Sequence, residues 1–137
     1  MERRLIAAQA CIDRFAGLPY APGTRDCTVM ARHCLHKLGL KVGIAKGVRY
    51  SSEIGGVKAL KGLGFKDLIE AVDSLGLARI APAAAWAGDL VALPTNSPLG
   101  SLAVNVGNGR LLAYGEDFVG ATIIGDVKDF VCAWRTI

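Results

Sequence analysis

Gly17-Leu18-Pro19-Tyr20-Ala21-Pro22-Gly23-Thr24-Arg25-Asp26-Cys27 is a turn-rich stretch that leads straight into an amphipathic segment. Its prolines and glycines disfavour a helix through it, and Asp26 is the residue type that accepts the unpaired N–H groups of a first helical turn. A helix is therefore predicted from Cys27 to about Leu38, closed by Gly39. A cysteine at the first helical position meets free N–H groups and the positive end of the helix dipole, a setting that can bring a thiol down from about pH 8.5 towards neutrality. Cys27 is thus the candidate nucleophile of the chain.

Outward from that helix the sequence divides into a helical half and a strand half. Arg3 to Phe15 has the period of an amphipathic helix, with Leu5, Ile6, Ala8, Ile12 and Phe15 as expected packing residues. Lys41 to Ser52 has no clear period. Ser52 is placed to cap a short helix over Glu53 to Lys61, and Lys66 to Leu75, ended by Gly76, forms the next. Short strands are then predicted at Ala78 to Ile80, Asp89 to Leu93, Leu102 to Val106, Leu111 to Tyr114, Ala121 to Ile124 and Phe130 to Arg135. Asn108-Gly109 is a two-residue hairpin signal, because both residues tolerate positive φ. Helices first and antiparallel strands after give an α+β order. At 137 residues, with no linker, repeat or low-complexity stretch, residues 1–137 make a single domain.

Cys11, Cys27, Cys34 and Cys132 contain no C-x-x-C pair, so neither a zinc site nor a disulfide framework is expected, and no cofactor or metal is implied. Cys34 lies seven residues after Cys27, on one helix face with Met30, Ala31, Leu35 and Leu38, where packing is its natural role. Cys132 alternates into the last strand, and Cys11 falls on the inner face of the first helix. The two histidines, His33 and His36, share a helix with Cys27. Six residues rotate a helix by about 600° and nine advance it about 13 Å, so neither ring can reach the Cys27 sulfur and both belong to the rim or surface.

The formal charge of +4 comes from scattered residues (Arg3, Arg4, Lys41, Lys46, Lys58, Lys61, Lys66) and not from a run, so nucleic acid is not expected as a partner. No apolar window is long enough to span a bilayer, and no membrane insertion is expected. The basic start Met1 to Cys11 is too short in apolar residues, and interrupted by Gln9, to be a signal peptide. The expectation is a protein made in a host bacterial cytoplasm with no encoded export.

These residues carry a resemblance. The chain resembles the NlpC/P60 group of papain-like cell-wall cysteine peptidases, in which a Gly-x-Pro-Tyr turn leads through a glycine loop to an Asp-Cys pair at a helix head. Gly17, Pro19, Tyr20, Gly23, Asp26 and Cys27 stand in those places, followed by Gly88-Asp89-Leu90-Val91 and by Ser101 to Gly107-Asn108-Gly109. The resemblance implies N-terminal helices packed on a small antiparallel, barrel-like sheet, with Cys27 in the nucleophile position and Tyr20 and Asp26 in the groove beside it. It also places Ser101 where the family has its general-base histidine and Ala113 where it has a third, orienting polar residue. Serine is no base near neutral pH and alanine offers no hydrogen bond, so the acid–base assistance such a hydrolase needs, worth about 10² to 10⁴ in rate, is missing. No histidine follows His36, and Asp89, Glu116, Asp117, Asp126 and Asp129 are the remaining sheet-side carboxylates.

A second likeness, to small phage tail-associated proteins with degenerate domains of this type, rests on the Asp-Cys helix, Gly47-Val-Arg-Tyr50-Ser51, the Gly-Asp strand and the closing Ala133-Trp134-Arg135. It implies a virion structural component of the phage tail tip or baseplate, with other tail proteins as partners. Two alternatives stand beside it. One is a cysteine peptidase or amidase acting on peptidoglycan stem peptides through Cys27, and the other is a non-catalytic peptidoglycan-binding module.

Overall fold

The computed structural model describes residues 1–41, 43–44, 49–115 and 117–137. Among these described residues four helices come first, α1 (Glu2–Phe15), α2 (Cys27–Lys37), α3 (Glu53–Gly62) and α4 (Leu68–Asp73). Six strands follow, β1 (Ala78–Ile80), β2 (Leu90–Leu93), β3 (Ser101–Gly107), β4 (Arg110–Ala113), β5 (Thr122–Ile124) and β6 (Cys132–Arg135), with one 3₁₀ turn at Pro82–Ala84. The fold class is α+β, as the order of sequence signals predicts.

Side-chain capping explains where α2, α3 and α4 begin. Asp26 accepts from the Val29 N–H at 2.8 Å and starts α2, and Ser52 accepts from the Gly55 N–H at 3.0 Å and starts α3. The fourth helix begins at Leu68 and not at Lys66, because Asp67 is its cap, accepting from the Glu70 N–H at 3.0 Å. The last strand begins at Cys132 and not at Phe130; Phe130 and Val131 stay exposed, although the Val131 N–H still reaches the Ala92 carbonyl.

The strands form one sheet in the order β1-β6-β2-β3-β4-β5, with every pairing antiparallel. The sheet is open, with β1 and β5 as its edges, so the expected barrel-like wall is not closed through strand pairing. The β3–β4 connection is the predicted two-residue hairpin, with Asn108 at φ 56° and Gly109 at φ 72°. Helices α1 and α2 cover one face of the sheet, where Phe15, Met30, Leu35, Leu102, Val104 and Trp134 are fully buried. On the other face Val91, Ala103, Leu111, Ala113 and Ala133 form a second, smaller core beneath Ala85 and Val127. Both faces being covered, β2 to β4 read as nearly continuous apolar runs and not as alternation.

One packing expectation is corrected. Leu5 and Ile6 are exposed, and the inward stripe of α1 is Arg4, Ala7, Ala8, Cys11 and Phe15. The small side chains let α1 lie close to α2 and β3, and Arg4 is drawn inward by a buried carboxylate, Asp89, at 2.8 Å. Cys11, Cys34 and Cys132 are buried as expected.

Candidate functional site

The loop 17–26 is closed on itself before it delivers Cys27. The Ala21 N–H donates to Arg25 O and the Arg25 N–H returns to Ala21 O. The second carboxylate oxygen of Asp26 accepts from the Gly23 N–H at 2.8 Å and from the Tyr50 hydroxyl at 2.6 Å. Asp26 therefore caps α2, pins the glycine turn and anchors the segment that precedes α3. It is nearly buried, at 5% exposure, with three donors on its two oxygens.

Cys27 stands at the head of α2 as predicted, on the wall of a pocket of about 520 Å³. Tyr20, Tyr114 and Phe118 supply aromatic walls, Leu99 and Gly100 come from the loop between β2 and β3, and Glu53 from the first turn of α3. Tyr20 meets Tyr114 edge to face, with ring centroids 5.8 Å apart.

The helix start does not produce a thiolate here. Desolvation is the largest influence on Cys27 and Asp26 adds a repelling negative charge, so the thiol is pushed up to about 11. The Leu102 N–H and the Thr28 hydroxyl pull the other way and are outweighed. The residue keeps some surface open to the pocket, yet its sulfur is packed closely enough for desolvation to dominate. Asp26→Asn retains the cap while deleting the charge, so the Cys27 pKa is expected to fall in that variant. Thiol absorbance followed against pH checks the direction, and an unchanged or raised midpoint contradicts it.

Neither histidine approaches the sulfur's side of the helix. His33 packs edge-on against Phe15, with centroids 5.6 Å apart, beside Arg14, and its pKa is lowered by burial first and by the Arg14 charge second. His36 is exposed. The side chains of Ser101 and Ala113 lie on the sheet face away from α2, although the Leu102 N–H that meets the Cys27 sulfur brings the Ser101 backbone beside it. Ala113 is in the smaller core, on the face of the sheet opposite α2. Ser101 pairs with Leu93, which packs on that same core, and it alternates with Leu102, which faces the helices. Of their immediate neighbours, Leu102 meets the thiol through its backbone N–H and Tyr114 shares the pocket wall with Cys27.

Among the sheet-side carboxylates, Asp89 is buried in a structural network, while Asp117, Asp126 and Asp129 are exposed and none of the four lines the pocket. Glu116 lies outside the described residues, as do Gly47 and Val48 of the Gly47 to Ser51 segment. Of that segment, Tyr50 is seen to bond Asp26. Tyr114, Phe118, Leu99 and Glu53 were not anticipated as site residues. Tyr114 was within reach of strand parity, one step beyond Ala113, whereas the others lie in loops or at a helix start with no periodic signal.

Among the described residues no group of three or more His, Cys, Asp or Glu side chains could hold a metal ion, and no helix is long and apolar enough to cross a membrane. No curated protein matches the chain with significance. A model of a domain of unknown function, DUF6950, matches residues 2–136, and the chain belongs to that family.

Proposed function

We propose that this protein is a non-hydrolytic domain of NlpC/P60-like, papain-like descent that serves as a structural component of a phage tail tip or baseplate. The observation that carries the reading is the state of Cys27, a pocket-lining cysteine at a helix head with its thiol held near 11 and no histidine beside it. A cysteine hydrolase needs a thiolate and a base that first takes and later returns a proton. With neither provided, the pocket is left as a binding surface, and the likeness to small tail-associated proteins supplies the setting. Other tail proteins are the partners in this reading.

The test has two arms. Mass spectrometry of purified particles should find the chain in stoichiometric amount, and the isolated protein should leave muropeptides uncut. Cys27→Ser should then be close to neutral for particle assembly. A chain that stays out of particles overturns the reading, as does muropeptide turnover that disappears in Cys27→Ala, the signature of the peptidase or amidase alternative. The size of the pocket favours a second reading, a module that holds peptidoglycan without cutting it. Saturable retention by purified peptidoglycan, unaffected by Cys27→Ser, is its signature.

A further inference from the structure

The fold gathers charges that the sequence scatters. Residues 1–66 carry twelve lysines and arginines against four carboxylates, and residues 67–137 carry four against eight, so the helical half is the basic pole of the chain. Helix α2 has no acidic residue. Its buried stripe is Met30, Ala31, Cys34 and Leu35, and the opposite side presents Arg32, His33, His36 and Lys37. Helix α1 adds two cations beside them. Arg14 Nη1 lies 3.2 Å from His33 Nδ1, and Arg3 donates to the Leu38 carbonyl at the end of α2.

These cations lack counter-charges. Among the described residues no ion pair engages Arg3, Arg14, Arg32 or Lys37, and Asp13, the acidic neighbour of Arg14 in α1, accepts from Gln9 at 2.8 Å. The crowding is felt at His33, whose pKa is lowered by burial first and then by the charges of Arg14, Lys37 and His36. A cluster of like charges attracts an anion that relieves it. Eleven residues, about 16 Å of helix, separate Arg3 from Arg14, so the charges run along the surface and do not converge on one point. That layout suits a repeating anion better than a single small one. Helix α2 exposes no large apolar side chain, and Leu5 and Ile6 of α1 fall outside the stripe Arg3, Ala7, Ala10 and Arg14. Protein interfaces centre on buried aromatic and apolar anchors, and a helix lying on a lipid surface inserts an apolar face. A face of cations alone offers neither, whereas phosphate contacts need only such donors.

We propose that the α1/α2 face formed by Arg3, Arg14, Arg32 and Lys37, with His33 and His36 among them, docks on the phosphate backbone of duplex DNA without reading its bases. Each arginine or lysine that meets a phosphate releases a condensed counterion, so the affinity falls steeply with salt. The inference goes beyond the assembly reading above and does not rest on it. The face shares no residue with the lining of the Cys27 pocket.

The probe is a fluorescent DNA duplex of mixed sequence, about 20 base pairs long, titrated with the full chain and followed by anisotropy at several salt concentrations. Micromolar binding at low salt is expected, with log K falling against log salt at a slope of about −3 to −4, the mark of three or four phosphate contacts. Lys37 is exposed and Arg32 partly so, hence Arg32→Glu with Lys37→Glu keeps the fold, checked by its unfolding midpoint, and should weaken binding about tenfold or more. Arg110→Glu with Lys128→Glu makes the same change of net charge at exposed positions of the sheet half and should bind within about threefold of the parent. Absence of binding at low salt overturns the inference, as does a flat salt dependence or an equal loss in the two double variants. Equal capture, at matched charge, of polyglutamate, poly(glycerol phosphate) or anionic lipid vesicles overturns it as well, assigning the face to an acidic protein, a wall polymer or a membrane. A chain absent from particles that binds DNA in this way keeps the inference and loses the assembly role; a chain found in particles that leaves DNA unbound does the reverse.

Discussion

Asp89→Ala is expected to remove about 3–5 kcal/mol of folding stability, the range found when one partner of a buried ion pair is deleted. Asp89 is fully buried at the point where both chain ends meet the sheet. One of its oxygens accepts from Arg4 at 2.8 Å, from the Thr136 N–H at 2.9 Å and from the Thr136 hydroxyl at 3.0 Å. The other accepts from the Trp86 N–H at 2.9 Å and lies 3.5 Å from Arg135. Alanine would leave Arg4 buried, at 3% exposure, without its counter-charge, and would orphan two backbone N–H groups. Because a domain of this size is stable by only about 5–15 kcal/mol, the loss is a large share of the whole. Chemical denaturation of parent and variant measures it. The double variant Arg4→Met with Asp89→Leu should recover much of the stability, since replacing both charges removes the uncompensated one. An Asp89→Ala protein within about 1 kcal/mol of the parent would mean that this network does not hold the fold together.

Gly23→Ala is the second large effect, and it acts on the site. Gly23 has φ +87°, and a Cβ built there would lie 1.9 Å from the Tyr50 carbonyl oxygen. Left-handed backbone costs a residue with a side chain about 1–2 kcal/mol, and overpacking a filled space costs about 1–3 kcal/mol more. The atom in the way is backbone, so the loop or the segment 49–51 must move. That movement breaks the Tyr50 to Asp26 bond, and with it one of the three contacts that fix the carboxylate next to Cys27. A destabilisation of about 2–5 kcal/mol is expected by calorimetry, together with large amide shifts around Cys27. Full stability with unshifted amides would contradict the packing of the loop against Tyr50.

The sequence makes the elements legible because each is punctuated by residues with one conformational meaning. Asp26, Ser52 and Gly39 mark helix ends, Asn108-Gly109 marks the hairpin, and the short apolar runs after Gly76 mark strands. Facing was harder to read. On α1, Leu5 and Ile6 look like core residues on hydropathy alone, yet the alanines and Arg4 go inward, because close helix packing and a buried carboxylate decide the rotation. On the sheet, aligning glycines sets Ser101 and Ala113 opposite Cys27, whereas strand parity sends their side chains to the far face and leaves Tyr114 on the pocket wall with the thiol. A shift of one residue along a strand exchanges its faces, and no composition signal marks it. The pocket walls at Leu99, Gly100 and Phe118 come from connecting loops, which carry no period at all.

Cys27, its thiol pushed up by burial, is expected to behave as a packing residue and not as a primed nucleophile. The rate of alkylation of Cys27 against pH tests it most directly, in a chain whose Cys11, Cys34 and Cys132 are replaced by alanine so that one thiol reports. Slow labelling at neutral pH and a midpoint near 11 are expected. A midpoint below about 7 would mean a stabilised thiolate of the kind reactive cysteines display, and would contradict it.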